Sequence, residues 1–368
     1  MRGMDSVVQA FSDRIREAAA AGGSLRIRGG GSKDFYGERL DGELLDTRGH
    51  AGIVSYEPSE LVVTARCGTP LAELETLLAA NGQCLPFEPP HWGGSATVGG
   101  MVAAGLSGPA RASAGSVRDH VLGVTLLDGR GELLVFGGQV MKNVAGYDVS
   151  RLMAGALGTL GLLVEISLKV LPVAVAEATL RFELKQAQAL QKLHEWGGRP
   201  LPLNASCWVE DDGLPCLYLR LRGAQAAVES ACARLGGERQ DTVRSAADWR
   251  LSRDLQLPLL SERGSRDLWR LSVPQTAPVL DLPAAPVVEW HGAQRWVLAE
   301  ARDGARVRAA AAQAGGHATL FMPGEPTAAA YLPRFDTLTP PLARIHLALK
   351  QQFDPAGVFN RGRLSAAF

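Results

Sequence analysis

Three glycine-rich segments in the first half of the chain hold the residues best suited to bind a charged ligand through bare backbone. They cover residues 28–33 (RGGGSK), 93–100 (GGSATVGG) and 155–161 (GALGTLG), and 27 of the 42 glycines lie between Gly22 and Gly161. Glycine adopts positive φ easily and lets a ligand approach the main chain closely. Successive free amides form a concave anion site, so the pattern indicates a cofactor that carries a pyrophosphate.

The first segment follows a short predicted strand in which Leu25 and Ile27 alternate with Arg26 and Arg28. It is not a Walker A loop, because the Gly-x4-Gly-Lys-Ser/Thr spacing is missing. It is not a Rossmann fingerprint, because the Gly-x-Gly-x-x-Gly order and the following helix are missing. An anion-binding loop and a flexible turn both stay open as interpretations. Arg28 and Lys33 either add charge to such a site or face solvent.

The second and third segments are small and weakly polar, which leaves two interpretations for each. One is a tightly packed strand or helix start; the other is a wall that presses against a flat ring and offers backbone amides to its heteroatoms. The second segment continues to Gly105, and residues 142–148 (KNVAGYD) precede the third. Several such amides could together hold a pyrophosphate, at roughly 1.5–3 kcal/mol for each hydrogen bond to a charged group.

Composition argues against several other classes of protein. The 368 residues include 38 basic and 38 acidic side chains, so neither a nucleic acid nor an anionic membrane surface is expected as the main partner. The five cysteines contain no CxxC pair, which predicts a reduced, cytosolic chain without a disulfide framework, zinc finger or iron–sulfur run. The N-terminus lacks the pattern of a signal peptide, and charged residues and a proline interrupt the most apolar stretch, 160–176, so no membrane span is predicted.

A mixed set of helices and strands must position the glycine segments. We expect a first helix that ends at Gly22-Gly23, and a second that has Thr69 as N-cap and Pro70 as its first residue. A hairpin is predicted over 121–127 and 132–136, a helix from Asp148 through Ala156, and a strand over 162–171. Further strands are predicted over 176–184, 204–210, 214–222, 268–273, 286–290 and 295–300, with helices over 185–196, 223–235 and 304–315 and a last amphipathic helix over 341–353.

The order of the motifs along the chain is specific. To the glycine segments it adds residues 118–123 (RDHVLG), the KNVAGYD segment and, near the C-terminus, residues 353–363 (FDPAGVFNRGR). In this order the chain resembles FAD-linked oxidases of the vanillyl-alcohol oxidase and p-cresol methylhydroxylase type, and among them the FAD-binding subunits of bacterial glycolate oxidases. The similarity covers roughly the first 175 residues and the tail.

This resemblance implies an α+β fold in which a two-subdomain FAD-binding domain (1–175) carries a smaller α+β cap, or substrate-type, domain (176–335). A C-terminal helix and tail (336–368) would return to the FAD domain. The residues expected to contact FAD are Arg28, Gly29, Gly30, Gly31, Ser32, Lys33, Gly94, Ser95, Thr97, Gly99, Gly100, Gly105, Arg118, Asp119, Gly158, Thr159, Gly161 and Asn360. The first loop has no histidine to form a covalent flavin link, so non-covalent FAD is expected, with His91 and His120 as alternative attachment points.

Catalytic residues are harder to assign. Related 2-hydroxyacid dehydrogenases carry a His-x-His metal pair in the cap, but the seven histidines here form no such pair, so no metal site is expected. His291 and Arg295 lie beside Trp290 and Trp296 and could cover the flavin and clamp a carboxylate; Arg270 is a similar candidate. An ordinary hairpin with partly buried tryptophans explains the same residues.

At the level of function, the resemblance implies a subunit of a cytoplasmic glycolate (2-hydroxyacid) oxidase complex, held at the inner membrane, if at all, through its partners. Electrons would pass to partner chains, namely a second FAD subunit and an iron–sulfur subunit, because this chain lacks cluster ligands. Two alternatives stay open: a self-sufficient FAD-dependent 2-hydroxyacid oxidoreductase, and a non-catalytic assembly subunit that keeps the flavin fold.

Overall fold

The computed structural model describes residues 5–138, 147–324 and 332–366, and its strands form two main sheets. The elements of the first half are α1 (Ser6–Ala20), β1 (Leu25–Arg28), β2 (Glu43–Asp46), β3 (Ile53–Glu57), β4 (Val62–Arg66), α2 (Leu71–Ala80), β5 (Gln83–Cys84), α3 (Val98–Ala104), α4 (Arg111–Ala114), α5 (Val117–His120), β6 (Val121–Leu127), β7 (Leu133–Gly137), α6 (Val149–Leu152), β8 (Leu162–Lys169) and β9 (Leu171–Pro172).

The second half continues with a second series of strands and helices. These elements are β10 (Ala176–Glu183), α7 (Gln186–Gly197), β11 (Leu203–Asp211), β12 (Leu214–Gly223), α8 (Gln225–Leu235), β13 (Glu238–Arg239), α9 (Thr242–Arg253), α10 (Pro258–Ser261), β14 (Asp267–Ser272), β15 (Val287–Glu289), β16 (Gln294–Ala299), α11 (Gly304–Gln313), β17 (His317–Met322) and α12 (Pro340–Phe353). Of the helices in the described ranges, none is both long and apolar enough to cross a membrane.

An antiparallel sheet supports the glycine segments. Over the described residues its order is β3-β4-β8-β6-β7, and its inner face packs on α2 and α3 through Leu74, Leu78 and Val102. A separate parallel pair, β1-β2, lies beside it and bonds to the tail, where the Leu25 amide donates to the Val358 carbonyl at 2.7 Å. The end of β1 therefore delivers the first glycine loop next to the C-terminal segment.

The cap contains the larger sheet, with the order β13-β10-β12-β11-β15-β16-β14-β17 among the described strands and every neighbouring pair antiparallel. One face packs on helices of the cap, as Trp269 does near α11. The other face meets the first half of the chain, where Phe321 and Trp296 pack with Tyr36 and Leu157. The alternation of strand side chains thus gives each face its own core.

Most elements predicted in the sequence occur, but two helix starts differ, and several elements, among them β2 and β3, were not predicted. Thr69 does not cap α2; its hydroxyl donates to the carbonyl of Arg66 at 2.7 Å, and Pro70 takes the N-cap position. Asp148 caps only the single turn of α6, because positive φ at Gly155 and Leu157 turns the chain out of a helix. Helix α9 and strand β17 were not expected. The domain limits at 175 and 335 stay a prediction.

A buried ion cluster joins the two halves. Both carboxylate oxygens of Glu88 accept from Nη2 of Arg220 at 2.7 Å, and Glu88 also accepts from Arg222 at 3.0 Å and from the Ala110 amide at 3.1 Å. Burial opposes ionisation, but the two guanidiniums outweigh it and hold the pKa of Glu88 below its usual range. The Arg220 side chain is only 2% exposed, so it depends on this carboxylate for neutralisation.

We predict that Glu88→Gln lowers the free energy of unfolding at neutral pH by about 3 kcal/mol, because it leaves a buried guanidinium without its counter-charge. Glu183→Gln, at an exposed pair with Arg181, is the matched control and should change it by less than about 1 kcal/mol. Denaturant unfolding measures both. Equal effects of the two substitutions would contradict this role of the cluster.

The same cluster predicts a pH dependence. Because the folded pKa of Glu88 is lowered, its contribution is complete above the ordinary glutamate pKa of about 4.3 and is lost as the pH falls through the folded value. The difference in unfolding free energy between wild type and Glu88→Gln should therefore shrink on acidification. A difference that stays constant down to the acid transition would show that the charge of Glu88 contributes nothing.

Candidate functional site

The three glycine segments meet around one cleft, which we call the glycine cleft. It encloses about 520 Å³ of space between the atoms, with the open solvent at its mouth included. Six of the residues predicted as cofactor contacts line it: Gly29, Gly99, Gly100, Gly158, Gly161 and Asn360. Its remaining walls are largely apolar.

The first glycine loop lies directly against the second. A Cβ on Gly30 would overlap the Ser95 carbonyl oxygen, and a Cβ on Gly29 would overlap the Thr97 hydroxyl. This corrects the sequence interpretation of Gly30: its missing side chain leaves room for another stretch of backbone rather than for a phosphate. Across the described part of the chain, the amides of Gly30, Gly31 and Ser32 have no hydrogen-bond acceptor, so the loop still offers the consecutive free donors of an anion nest.

The second segment is both a helix start and a wall of the cleft. Thr97 caps α3 by accepting from the Gly100 amide at 3.3 Å, and the amides of Val98 and Gly99 donate to the carbonyls of Thr69 and Cys67. The first amides of α3 are therefore already used within the protein. A Cβ on Gly99 would come within 2.8 Å of the Cys67 Cβ, so this segment provides shape and close packing rather than free donors.

The third segment reaches the cleft through Gly158 and Gly161 but not through Thr159. Thr159 is fully buried, and its hydroxyl donates to the Ala156 carbonyl at 2.8 Å. Gly158 has φ of +71°, and a Cβ there would lie 2.8 Å from the Asn360 amide nitrogen. The expected direct contact of Thr159 with the cofactor is therefore corrected to a structural role behind the wall.

Asn360 lines the cleft, and its side chain also bonds to the backbone on both sides of it, while its contact with the cofactor stays a prediction. Its Oδ1 accepts from the Ile27 amide at 2.8 Å, and its Nδ2 donates to the Leu157 carbonyl at 2.6 Å. Both polar atoms are thus occupied by backbone of the first and third segments. Asn360 lines the cleft as a brace between its two sides.

Several other predicted contacts lie outside the cleft lining. Arg118 and Asp119 are exposed on α5, where Asp119 accepts from the Ser116 amide at 2.8 Å and thereby has its pKa lowered. Gly105 ends α3 in a left-handed conformation and packs on Gly155. Gly94 and Ser95 belong to the loop that supports Gly30. Residues 142–146 of the KNVAGYD segment lie outside the described residues.

Charged groups near the first loop are few. Arg28 forms an ion pair with Asp34 at 2.7 Å, beside Gly31. Lys33 lies with its Nζ 5.4 Å from the centre of the Trp92 ring, and burial lowers its pKa to about 8. Lys33 is therefore not an ordinary solvated lysine, and a bound anion nearby would favour its charged form.

Sequence reasoning missed the part of the cleft that contains no glycine. Thr47, Cys67 and Met153 line it, and burial raises the pKa of the Cys67 thiol to about 12, so this cysteine stays protonated. Thr47 and Cys67 follow the ends of β2 and β4. Their position after the ends of two strands was the only feature of the sequence that pointed to them, because a single threonine or cysteine does not form a recognisable motif.

The three catalytic candidates differ in what surrounds them. Arg295 is fully buried and donates to the carbonyls of Pro278 at 2.7 Å and Ala277 at 2.9 Å, so it holds the connector before β15 and is not available as a carboxylate clamp. His291 lies between the hydroxyls of Ser206 and Ser113, each 3.1 Å from a ring nitrogen, and burial lowers its pKa to about 4.

Arg270 lines a second, smaller cavity between the cap and the FAD-binding half, which we call the junction cavity. It encloses about 300 Å³ including its opening. Arg270 donates to the Tyr36 hydroxyl at 3.2 Å. Glu289, also in the lining, accepts from Ser252, Gln294 and Trp296, and burial raises its pKa. A cation and a buried carboxyl thus share one cavity, whereas His291 and Arg295 are not in its lining.

Known proteins resemble this chain in sequence over its whole length. Residues 7–137 match the family described as FAD binding domain. Glycolate oxidase subunit GlcE of Escherichia coli (strain K12) is 46% identical over 358 residues, which cover 97% of each chain. Glycolate oxidase subunit GlcD of Bacillus subtilis (strain 168) is 30% identical over 128 residues, 35% of this chain and 27% of that protein.

A solved structure of alkyldihydroxyacetonephosphate synthase has the same fold at 14% identity, with a TM-score of 0.64 over 94% of this chain and 74% of that one. The fold expected from the motifs is thereby confirmed, as is their resemblance to glycolate oxidase subunits. The chain belongs to the glycolate oxidase GlcE subunit family, among the FAD-dependent oxidoreductases.

Proposed function

We propose that this chain is the FAD-binding subunit of a glycolate, or 2-hydroxyacid, oxidase complex. The observation that carries the proposal is the glycine cleft, where loops from three parts of the sequence converge and the first offers consecutive free amides. The 46% identity to the E. coli GlcE subunit over nearly the full length supports it. The word subunit in the names of both GlcE and GlcD supports assembly with other chains.

The residues of the glycine cleft fit a flavin dinucleotide. The amides of Gly30, Gly31 and Ser32, which follow the lining residue Gly29 and are not themselves in the lining, would hold the pyrophosphate, and the apolar wall formed by Ala103, Met153 and other side chains would cover flat rings. When bound, FAD supplies the two-electron redox chemistry, which belongs to the cofactor. The protein's part is to bind it, orient it and exclude water. The first loop lacks a histidine, and the neighbouring Cys67 is a buried, protonated thiol, which supports non-covalent binding.

Electrons must then leave this chain. We propose that they pass to a second FAD subunit and an iron–sulfur subunit of the same complex, with the assembly in the cytoplasm and any membrane contact made by partners. The sequence contains no CxxC-type run of cluster ligands. The junction cavity, whose lining includes Arg253 and Arg270, supports a second candidate function, in which this subunit itself binds a small carboxylate there.

The purified full-length protein should be yellow, and acid precipitation should release its flavin into the supernatant. A flavin that stays in the pellet would contradict non-covalent binding, and a colourless protein that takes up no added FAD would contradict the proposed function. Addition of glycolate with a dye acceptor separates the alternatives. Rapid bleaching and turnover by the isolated chain would show a self-sufficient enzyme, whereas a slow response that partners accelerate is the expected result.

Gly30→Val and Gly99→Leu should each abolish retention of FAD, because their side chains would push apart backbone segments that now touch at Ser95 and Cys67. Flavin absorbance per mole of purified protein measures the loss. Gly49→Ala is the matched control, since nothing lies within 4 Å of the added Cβ. A fully flavinated Gly30→Val protein would contradict the packing of the two loops described above.

A further inference from the structure

The C-terminal segment over residues 350–363, which we call the strap, contacts the first and third glycine segments from behind the cleft. Lys350 and Arg363 are its two buried cations, with 5% and 6% of their surface exposed. Neither lines the glycine cleft. Most of their donated bonds end on main-chain carbonyls, including that of Thr159 in the third glycine segment and that of Lys33 at the end of the first.

Lys350 joins the third segment to the strap. Its Nζ donates to the Thr159 carbonyl at 2.7 Å, to the Phe359 carbonyl at 2.9 Å and to the Asp354 carboxylate at 2.7 Å. All three ammonium hydrogens are therefore used. Asp354 in turn accepts from the Val358 and Phe359 amides at 2.8 Å, which fixes the turn that brings the strap back to β1.

The bond to Thr159 has a consequence for the cleft wall. A trans peptide group points its C=O and N–H in opposite directions. Because Lys350 holds the Thr159 carbonyl on the strap side, the Leu160 amide of the same peptide group points away from the strap. Leu160 itself lines the glycine cleft, so one buried ammonium sets the orientation of this part of the wall.

Arg363 holds the chain that immediately follows the first glycine loop. Its guanidinium donates to five main-chain carbonyls of this stretch, those of Lys33, Asp34, Tyr36, Glu38 and Arg39. Gly37, at φ +98°, leaves the room for this side chain, since a Cβ there would lie 2.9 Å from the Arg363 Nε. The planar guanidinium, with its five N–H donors, suits carbonyls that lie around it in this way. The compact ammonium group of a lysine cannot make the same set of hydrogen bonds.

Asn360 completes the strap between these two cations by bridging Ile27 and Leu157. The three side chains thus fix the first loop, the third segment and the distance between them. We propose that Lys350 and Arg363 are positioning residues for the cofactor, and that the strap sets the affinity of the glycine cleft for FAD. The inference rests on the proposed function and names the part of the chain that tunes it.

The test uses the full-length protein, stripped of flavin and titrated with FAD while flavin fluorescence is followed. Lys350→Met and Arg363→Lys should each raise the dissociation constant about tenfold or more, the effect of losing a single charged hydrogen bond to a loop. Arg361→Gln is the matched control on the same strap. Arg361 is exposed and donates to carbonyls of Gly22, Gly23, Ala356 and Gly357, none of which belongs to a glycine segment of the cleft or to the chain that directly follows the first one, so its loss should leave the dissociation constant within about twofold.

A second comparison separates positioning from general destabilisation. Val228→Ala removes a fully buried side chain from α8 in the cap and should lower the melting temperature without changing FAD affinity. The strap variants should weaken FAD binding at temperatures far below their melting points and should also alter the visible circular dichroism of the bound flavin, which reports its orientation. Arg363→Lys keeps the charge, so its effect isolates the geometry of the guanidinium.

Folded strap variants that bind FAD as tightly as wild type, or a Val228→Ala protein that loses affinity in proportion to its stability, would overturn the inference. If Lys350→Met does not fold, Arg363→Lys decides alone, with the same two outcomes. A wild-type protein that binds no FAD would instead overturn the proposed function, so the two failures are distinguishable.

Discussion

The close approach of two backbone segments, at Gly29 and Gly30 against Ser95 and Thr97, is the contact on which the candidate site depends. Side chains are excluded there because a Cβ would overlap the opposite loop. The contact leaves the amides of the first loop without partners in the described residues and forms one wall of the cleft. Two loops in such close contact need other parts of the protein to hold them in place. The sheet, the start of α3 and the C-terminal strap provide these contacts.

Electrostatics in the cleft are local rather than global. The chain has no net charge, and cations near the site are bound by groups of the protein itself: the buried Lys350 by Asp354, the buried Arg363 by loop carbonyls, and the half-buried Arg28 by Asp34. Lys33 is the last residue of the first loop, and burial lowers the pKa of its ammonium group. On the proposed binding mode, affinity for a phosphorylated cofactor would come mainly from main-chain dipoles held in fixed positions.

Local patterns predicted much of this structure, and long-range contacts limited the prediction. Six of the eight cap strands in the described residues followed from the sequence pattern, and α12 followed from its amphipathic spacing. Glycine clustering located the cleft, but it could not show that Gly30 faces Ser95 or that Thr159 faces Lys350, because those partners are distant in sequence. Arg295 looked like a carboxylate clamp for the same reason: the carbonyls of Ala277 and Pro278 that saturate it carry no signal in the sequence.

The most direct test of the account is a crystal structure of this protein grown with FAD. The account predicts the pyrophosphate against the amides of Gly30, Gly31 and Ser32, with the adjoining rings along the wall formed by Gly100, Ala103 and Leu160, and with Ser95 still touching Gly30. A pyrophosphate bound elsewhere, or a first loop that has moved away from Ser95 to admit it, would contradict the central claim that contact between bare backbone segments builds the cofactor site.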